Sequence, residues 1–508
     1  MRKITKYKGS IKLSAIGDAL GWITEFEQSL SDIKDKYKVE RITTFHEWTK
    51  YVGGRFNGYK DRVKKGSYSD DTQLLLAVAR SIRYDGTVDN EYFSKVELPA
   101  WLSYSRGAGR TIKNAARKIQ RKSVKWYNNF FKIKVNKREI DYRDTGANGA
   151  AMRILPIALA NFNDPEKINA EIFYNSIITH GHPRAILGAM LYGFAINTIL
   201  KFTPDTFDYK LFLTELGKNI EEKLSIKHII NKKEIQEWLS AWNKGSKIDF
   251  ISLYKDTITE TQNFLRHIYK GITKNINDNI VYENLGCLKS ETKGSGISTV
   301  IAGIYLASKY FRTPIKAIEI AVNKIGSDTD SIAAFTGGLL GALHGQSIIP
   351  QKWKKIQDYD YLDKVAERLL RISEENLEPQ QHLFEVNNNI NNIKKLDLST
   401  DNYEVNEQIY FKPLGKGVIT NIERQETSTK GKYNLVIDID FEIGQSCRFA
   451  RLLSTKDKTS VKTEEQIDLN ERIKRFRRKL NKDDQIEFDK IIRLVKNRKN
   501  STQNEGHM

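Results

Sequence analysis

The stretch that decides the fold reads NKIGSDTDSIAAFTGGLLGALHG and runs from Asn323 to Gly345. Asp328 and Asp330 stand one residue apart among small hydroxyl residues, directly before an apolar run rich in glycine and alanine. Ser, Thr and Asp are the preferred residues at the start of an α-helix, so the pattern predicts a buried helix that begins near Asp328. A cap needs one side-chain acceptor, whereas this start offers several. The excess of oxygen atoms indicates a second task, such as cation binding.

A second helix start repeats the design. The sequence GSYSDDTQLLLAVARSI places Ser69, Asp70, Asp71 and Thr72 before another apolar run. Hard divalent cations prefer oxygen ligands from carboxylates, hydroxyls and water. Carboxylates so close together repel one another unless a cation neutralises them. Capping would explain either stretch alone, but the two together favour a metal site.

Periodicity divides the chain into four parts. Apolar residues recur at helical spacing to about residue 372, which predicts an all-α domain over residues 1–375. Residues 376–403 include five asparagines around Ile390 and predict a linker. Residues 404–458 alternate and are rich in β-branched and aromatic residues, so they predict a small β-barrel that resembles SH3-like or Tudor-like barrels. Residues 459–508 predict a charged helical tail.

Cysteine content and hydropathy restrict the class of protein. The two cysteines, Cys287 and Cys447, are too few and too far apart for a disulfide framework or a cysteine-based zinc site. The N-terminus has no continuous apolar segment of the kind found in secretory signals. The uncharged run from Ala185 to Leu200 is shorter than the ~20 residues that span a bilayer. We therefore expect a cytoplasmic protein with no membrane contact.

The charge is strongly positive, at +20 with a pI near 9.5. Residues 106–138 carry twelve Lys or Arg and no acidic residue, and residues 472–499 carry twelve basic against four acidic residues. Such a balance makes nucleic acid a candidate partner, through phosphate contacts and base stacking. The alternative for residues 106–138 is an amphipathic helix with a solvated basic face, whose core side would hold Trp126, Tyr127, Phe130 and Phe131.

Five motifs carry a resemblance to a known family. They are, in chain order, GDALGWITEF, SDDT, GANGAAMRILPIAL, THGHPRAILGA and GSDTDSIAAFTGGLLGALHG. Their order resembles that of the ADP-ribosylglycohydrolase family, which includes dinitrogenase-reductase-activating glycohydrolase, over about residues 8–372. The resemblance implies an all-α catalytic domain with two Mg²⁺ ions, or alternatively Mn²⁺. It also implies hydrolysis of the bond between ADP-ribose and a modified acceptor.

The resemblance assigns the metal and catalytic residues by position. It implies catalytic roles for Glu25, which follows the GDALG motif, and for Asp70 and Asp328, while Asp18 would position the loop. Ser69 and Ser331 stand where many family members have threonine, and the serine hydroxyl offers the same donor oxygen. The implied metal ligands are Ser69, Asp70 and Asp71 on one side and Asp328, Asp330 and Ser331 on the other.

Two glycine-containing loops and a histidine motif are implied to bind ADP-ribose. The run TGANGAAMR leads into a helix, where backbone N–H groups can meet a pyrophosphate, although such a run is also typical of a tight turn. His180 matches a ligand-contacting histidine, and His182 is a second candidate; a lone histidine is often structural. The expected binding residues are Asn148, Gly149, His180, Gly294, Ser295 and Gly296.

The expected function is metal-dependent removal of ADP-ribose from a protein side chain or a nucleic acid. A non-catalytic ADP-ribose or nucleic-acid binding protein on the same fold is one alternative. Another two-metal hydrolase acting on a nucleotide is a second. The predicted β-barrel and the charged tail would serve as a module that guides the hydrolase to its substrate.

Overall fold

A computed structural model describes residues 2–135, 138–378 and 393–455. It also describes six separate residues near the C-terminus: Arg477, Asp484, Gln485, Phe488, Asp489 and Ile492. The rest of the predicted tail (459–508), with its basic segment 472–499, lies outside the described residues. So does the middle of the predicted linker.

Helices dominate the chain up to residue 373. The first ten are α1 (Lys3–Thr24), α2 (Leu30–Tyr37), α3 (Gly54–Asn57), α4 (Asp70–Ser81), α5 (Asn90–Tyr92), α6 (Leu98–Trp101), α7 (Arg110–Ile119), α8 (Leu155–Ala160), α9 (Pro165–Ile177) and α10 (Pro183–Ile199). The next nine are α11 (Tyr209–Gly217), α12 (Ile220–Lys223), α13 (Lys233–Lys244), α14 (Phe250–Thr273), α15 (Asp278–Asn284), α16 (Gly296–Lys309), α17 (Pro314–Val322), α18 (Thr329–His344) and α19 (Tyr359–Ser373).

Strands form three separate sheets. They are β1 (Trp48–Val52) with β2 (Tyr59–Val63), β3 (Lys132–Val135) with β4 (Arg138–Asp141), and then β5 (Lys394–Lys395), β6 (Gln408–Phe411), β7 (Gly415–Glu426), β8 (Lys432–Phe441) and β9 (Ser446–Ser454). The first two sheets are antiparallel hairpins inside the helical domain. The sequence analysis predicted an all-α domain and missed them, because strands of four or five residues leave too short an alternation to stand out.

The helix α18 packs lengthwise against α1 through glycines on both helices. A Cβ atom on Gly17 would collide with the carbonyl group of Ala333, and one on Gly337 would collide with that of Leu13. Only residues without a side chain allow two helix backbones to approach so closely. The contact places the start of α18 beside the last turns of α1, where Asp18 and Glu25 lie.

The C-terminal strands form an open five-stranded sheet. Its strand order is β5-β6-β7-β8-β9, with antiparallel pairing except between β5 and β6. Within residues 393–455, β5 and β9 are the two edges and do not pair with each other, so the predicted SH3-like barrel is not confirmed. The strand β5 has only two residues and is too short to close the sheet.

The sheet and the helical domain share a core. Tyr104, which is 1% exposed, meets the rings of Phe411 and Phe449 with ring centroids 6.3 and 5.6 Å away. The buried ion pair between Arg80 and Glu97 also reaches the sheet, since Arg80 donates a hydrogen bond to Gln445. Among the described residues, no helix is long and apolar enough to cross a membrane.

Candidate functional site

The start of α4 is capped from α1. The Asp18 carboxylate is fully buried and accepts hydrogen bonds from the main-chain N–H groups of Ser69 (3.1 Å) and Thr72 (3.0 Å) and from the Thr72 hydroxyl (2.5 Å). The Ser69 hydroxyl accepts a further bond from the N–H of Asp71 at 3.2 Å. These bonds satisfy the free N–H groups at a helix start. Asp18 therefore holds α4 against α1, and the carboxylates of Asp70 and Asp71 are not needed to cap the helix.

The two aspartate-rich helix starts meet. The Ser331 hydroxyl on α18 donates a hydrogen bond of 2.7 Å to Asp71 on α4. The Asp330 carboxylate accepts a bond of 2.8 Å from the N–H of Ser331. Asp70, Asp71 and Asp330 are 7%, 5% and 6% exposed. The structure thus brings together stretches that lie 260 positions apart, as the sequence analysis expected.

The carboxylates form an electrostatically crowded cluster. Burial first, and then the charge of Asp18, raises the pKa of Asp70 to about 7. Burial and neighbouring carboxylates raise the pKa values of Asp71 and Asp330 well above the usual range. Burial and then Asp328 raise the pKa of the half-buried Glu25 to about 8. Such raised pKa values indicate that a bound cation would stabilise the ionised carboxylates.

A cleft of about 440 Å³ opens beside Asp328. The Asn148 side chain donates to the Asp328 carboxylate at 3.2 Å, and its main-chain N–H donates to the carbonyl of Gly294 at 2.9 Å. The second bond joins the two predicted substrate loops, and the first ties them to the start of α18. Both loops contribute to the lining of the cleft, which includes Thr145, Gly146, His182, Lys293, Gly294 and Ser295.

The two histidines of the THGH motif occupy different environments. His180 is 1% exposed, shares a hydrogen bond with Thr179 and packs against Gly149, where a Cβ atom would lie 2.8 Å from its ring. His182 lines the cleft and accepts a bond from the N–H of Arg184 at the start of α10. Gly149 lies against the side chains of Ile112 and His180, whereas Gly296 lies against the backbone of Arg184 and Ala185. His182 lines the cleft and His180 packs behind it, whereas the sequence analysis ranked His180 first.

Two lysines near the carboxylates were missed. Lys50 on β1 lies 3.9 Å from the ring centroid of Phe26 and lowers the pKa of Glu25. Lys113 on α7 lowers the pKa of Asp70. The hairpin that carries Lys50 was not predicted, and no local pattern says which lysine of a basic segment turns toward the site.

The side chains fit a hard divalent cation by their chemistry. The donors are carboxylates and serine hydroxyls, which magnesium and manganese prefer. In residues 2–135, 138–378 and 393–455, no group of three or more His, Cys, Asp or Glu side chains is arranged so that it could hold a metal ion. The Ser331 hydroxyl donates its hydrogen to Asp71, which leaves the lone pairs of its oxygen and the second oxygen of the Asp71 carboxylate for an ion.

The aromatic residues of the basic segment are used in packing. Trp126 meets Tyr127 and Tyr174 edge-on at 5.2 and 6.0 Å, and Phe130 meets Tyr142 at 4.8 Å. Tyr127 is buried, as is Phe131, while basic residues such as Arg117 and Arg121 are exposed. The amphipathic-helix alternative holds only for α7 (Arg110–Ile119), because Trp126, Tyr127, Phe130 and Phe131 follow that helix in a non-helical segment and pack against other rings of the helical domain.

Comparisons with known proteins identify the family. A family model described as ADP-ribosylglycohydrolase matches residues 1–378. The ADP-ribosylarginine hydrolase Tri1 of Serratia proteamaculans is 23% identical over 394 residues, which cover 73% of this chain and 81% of that protein. The ADP-ribosylhydrolase ARH3 of Danio rerio is 23% identical over 374 residues, covering 72% and 90%.

A bacterial relative matches a shorter part. The ADP-ribosyl-(dinitrogen reductase) glycohydrolase of Rhodospirillum rubrum is 28% identical over 187 residues, 37% of this chain and 55% of that protein. The family match ends just after α19, so the C-terminal sheet lies outside it.

Proposed function

The chain belongs to the ADP-ribosylglycohydrolase family, and from this premise we propose that it is a magnesium-dependent hydrolase that removes ADP-ribose from a modified macromolecule. The observation that carries the proposal is the meeting of two aspartate-rich helix starts beside a cleft lined by glycine loops. A buried cluster of like charges is costly for folding. Its presence at the end of a cleft argues for a functional role.

Cleavage at the anomeric carbon develops positive charge on the ribose and needs a positioned water molecule. When bound, two Mg²⁺ ions would orient the ribose hydroxyls and lower the pKa of the attacking water. Asp70 and Asp71 from α4, and Asp328 and Asp330 from α18, would hold these ions with Ser69 and Ser331. The remaining negative charge would stabilise the developing charge on the ribose.

Glu25 is our candidate for the group that exchanges a proton. It lies at the end of α1, half-buried, and its pKa is raised mainly by burial and by Asp328. A carboxyl group whose pKa lies near the working pH can both accept and release a proton. Lys50 opposes the rise and would keep part of the Glu25 population ionised.

The diphosphate of ADP-ribose would lie in the cleft. The loop that ends at Ser295 leads into α16, whose first N–H groups are available to an anion, although the N–H of Gly296 donates to the carbonyl of Gly146. Lys293 adds a positive charge at the same wall. Asn148 would fix the cleft relative to Asp328, to which it donates a hydrogen bond.

The test is release of free ADP-ribose from a panel of ADP-ribosylated arginine, serine and nucleic-acid substrates, with Mg²⁺, with Mn²⁺ and with EDTA. Arginine comes first because the Serratia relative is named for ADP-ribosylarginine. Metal-dependent release from any member supports the proposal and names the acceptor. ADP-ribose that binds without any release supports the binding-protein alternative. AMP or phosphate as product would replace the proposal with a nucleotide hydrolase.

A further inference from the structure

Four consecutive residues connect the C-terminal sheet with the carboxylate cluster. At one end of segment 104–107, the buried ring of Tyr104 packs on Phe449 of β9. At the other end, Gly107 has φ of +90°, and a Cβ atom there would lie 2.8 Å from Oδ1 of Asp70 and 3.2 Å from Nε1 of Trp22. A shift of this segment therefore changes the space around the Asp70 carboxylate.

Arg106 fixes the middle of the segment. Its guanidinium group pairs with the Asp61 carboxylate, with Nε–Oδ2 at 3.2 Å and Nη2–Oδ1 at 3.0 Å. It also lies 5.3 Å from the ring centroid of Trp22. The main-chain N–H of Arg106 donates to the side chain of Gln73 at 3.2 Å, and Gln73 is on α4, three residues after Asp70.

The other side of Asp61 is covered by an arginine of the sheet. Arg448 on β9 forms an ion pair with Asp61, with its Nε atom 3.0 Å from Oδ1, although the angle of this contact is not that of a hydrogen bond. Its two other nitrogens pair with Asp438 (2.9 Å) and Glu423 (3.0 Å). Asp61 is 4% exposed and thus lies buried between Arg106 and Arg448. A buried carboxylate in this position depends on both guanidinium groups for neutralisation.

We propose that Arg448 is a positioning residue for the carboxylate site, which it reaches through Asp61 and the segment 104–107. Arg448 lies outside the part of the chain that matches the family, so the C-terminal sheet adds this support to the family's helical domain. The inference rests on the proposed function in so far as Asp70 takes part in the reaction. Its structural half, the control of segment 104–107 by Arg448, stands independently.

The experiment compares Arg448→Met with Arg424→Met in the full chain. Arg424 is a matched control because it is also an arginine of the sheet that pairs with a carboxylate, Asp401 at 3.0 Å, and it is 41% exposed. Hydrogen exchange measured by mass spectrometry follows the peptide that covers residues 104–109. Steady-state assays are run well below the melting temperature, on the substrate identified by the panel, and give kcat and KM.

In Arg448→Met we expect faster exchange in residues 104–109 and a fall in kcat on the order of tenfold, with a smaller change in KM, because displaced catalytic groups slow the chemical step. Arg424→Met should behave like the unchanged chain in both measurements. Equal exchange and equal kcat in the two variants would overturn the proposal. Faster exchange spread evenly over all peptides would also overturn it, since that result describes a general loss of stability.

If Arg448→Met does not fold, Arg448→Lys keeps the positive charge but cannot reach all three carboxylates. The same local increase in exchange, in smaller measure, is then expected. An unchanged chain that releases no ADP-ribose would refute the proposed function, and the exchange data would still decide whether Arg448 controls the segment.

Discussion

Buried carboxylates occur in two regions of this molecule, with opposite surroundings. At the seam between the helical domain and the sheet, Asp61 lies between two arginines, and Glu97 forms a bidentate pair with Arg80. At the α4–α18 site, none of the ion pairs in the described residues includes Asp70, Asp71 or Asp330. Buried charge at the seam is therefore neutralised by the chain's own arginines. Under the proposed function, metal ions would neutralise the carboxylates at the α4–α18 site.

The largest effect on stability should come from the seam. Glu97→Gln removes the negative charge that pairs with the fully buried Arg80. We expect the free energy of unfolding, measured with urea, to fall by about 3–5 kcal/mol. The control is Glu139→Gln at the exposed pair with Lys132, which should cost less than about 1 kcal/mol. Similar losses in both variants would remove the contrast between buried and surface pairs.

At the α4–α18 site, removal of a carboxylate should lower activity without lowering stability. Asp71→Asn removes one charge from a crowded cluster, so activity should fall at least about a hundredfold while the melting temperature without metal stays the same or rises. Asp249→Ala removes an exposed helix cap that makes no contact with the site, and it should keep full activity. If Asp71→Asn retains activity, the Asp71 carboxylate has no part in the reaction.

Magnesium should stabilise the chain through the same cluster. At a concentration of 100 times its dissociation constant, a ligand that binds only the folded state adds about 2.7 kcal/mol. We therefore expect Mg²⁺ to raise the melting temperature of the unchanged chain by a few degrees, and EDTA to reverse the rise. In Asp71→Asn the rise should largely disappear. A rise of equal size in both proteins would place the ion elsewhere.

The smallest effect concerns Asp358, a half-buried carboxylate at the seam. Asp358 accepts hydrogen bonds from Tyr68 and from the N–H of Ser446, yet burial outweighs them and raises its pKa to about 6. A carboxyl group with a raised pKa contributes stability at low pH that is lost as the pH rises through that value. Relative to Asp358→Asn, the unchanged chain should lose about 1–3 kcal/mol of unfolding free energy between pH 4 and pH 7. A constant difference between the two proteins would contradict this.

Local signals explain what was predicted from the sequence. The residues that mark a helix start are adjacent in the sequence, so the stretches around Asp70 and Asp328 could be identified. The order of the motifs then indicated that both stretches belong to one site. The open form of the sheet, its docking on Tyr104 and the pairing of Asp61 with Arg448 depend on contacts between distant parts of the chain. No periodicity encodes them. The difference between His180 and His182 has the same cause, because only the fold shows which ring faces the cleft.

The contacts at the seam also have a consequence for synthesis of the protein. Lys64 and Asp438, which pair there, are 374 positions apart in the chain. At the usual rate of roughly 5–20 residues per second, a ribosome takes about 20–75 seconds to travel that distance. By the end of this interval the helical domain has been synthesised but β9 has not. If Arg448 positions the segment beside Asp70 as proposed, a nascent chain acquires this support for the site only after β9 has been synthesised.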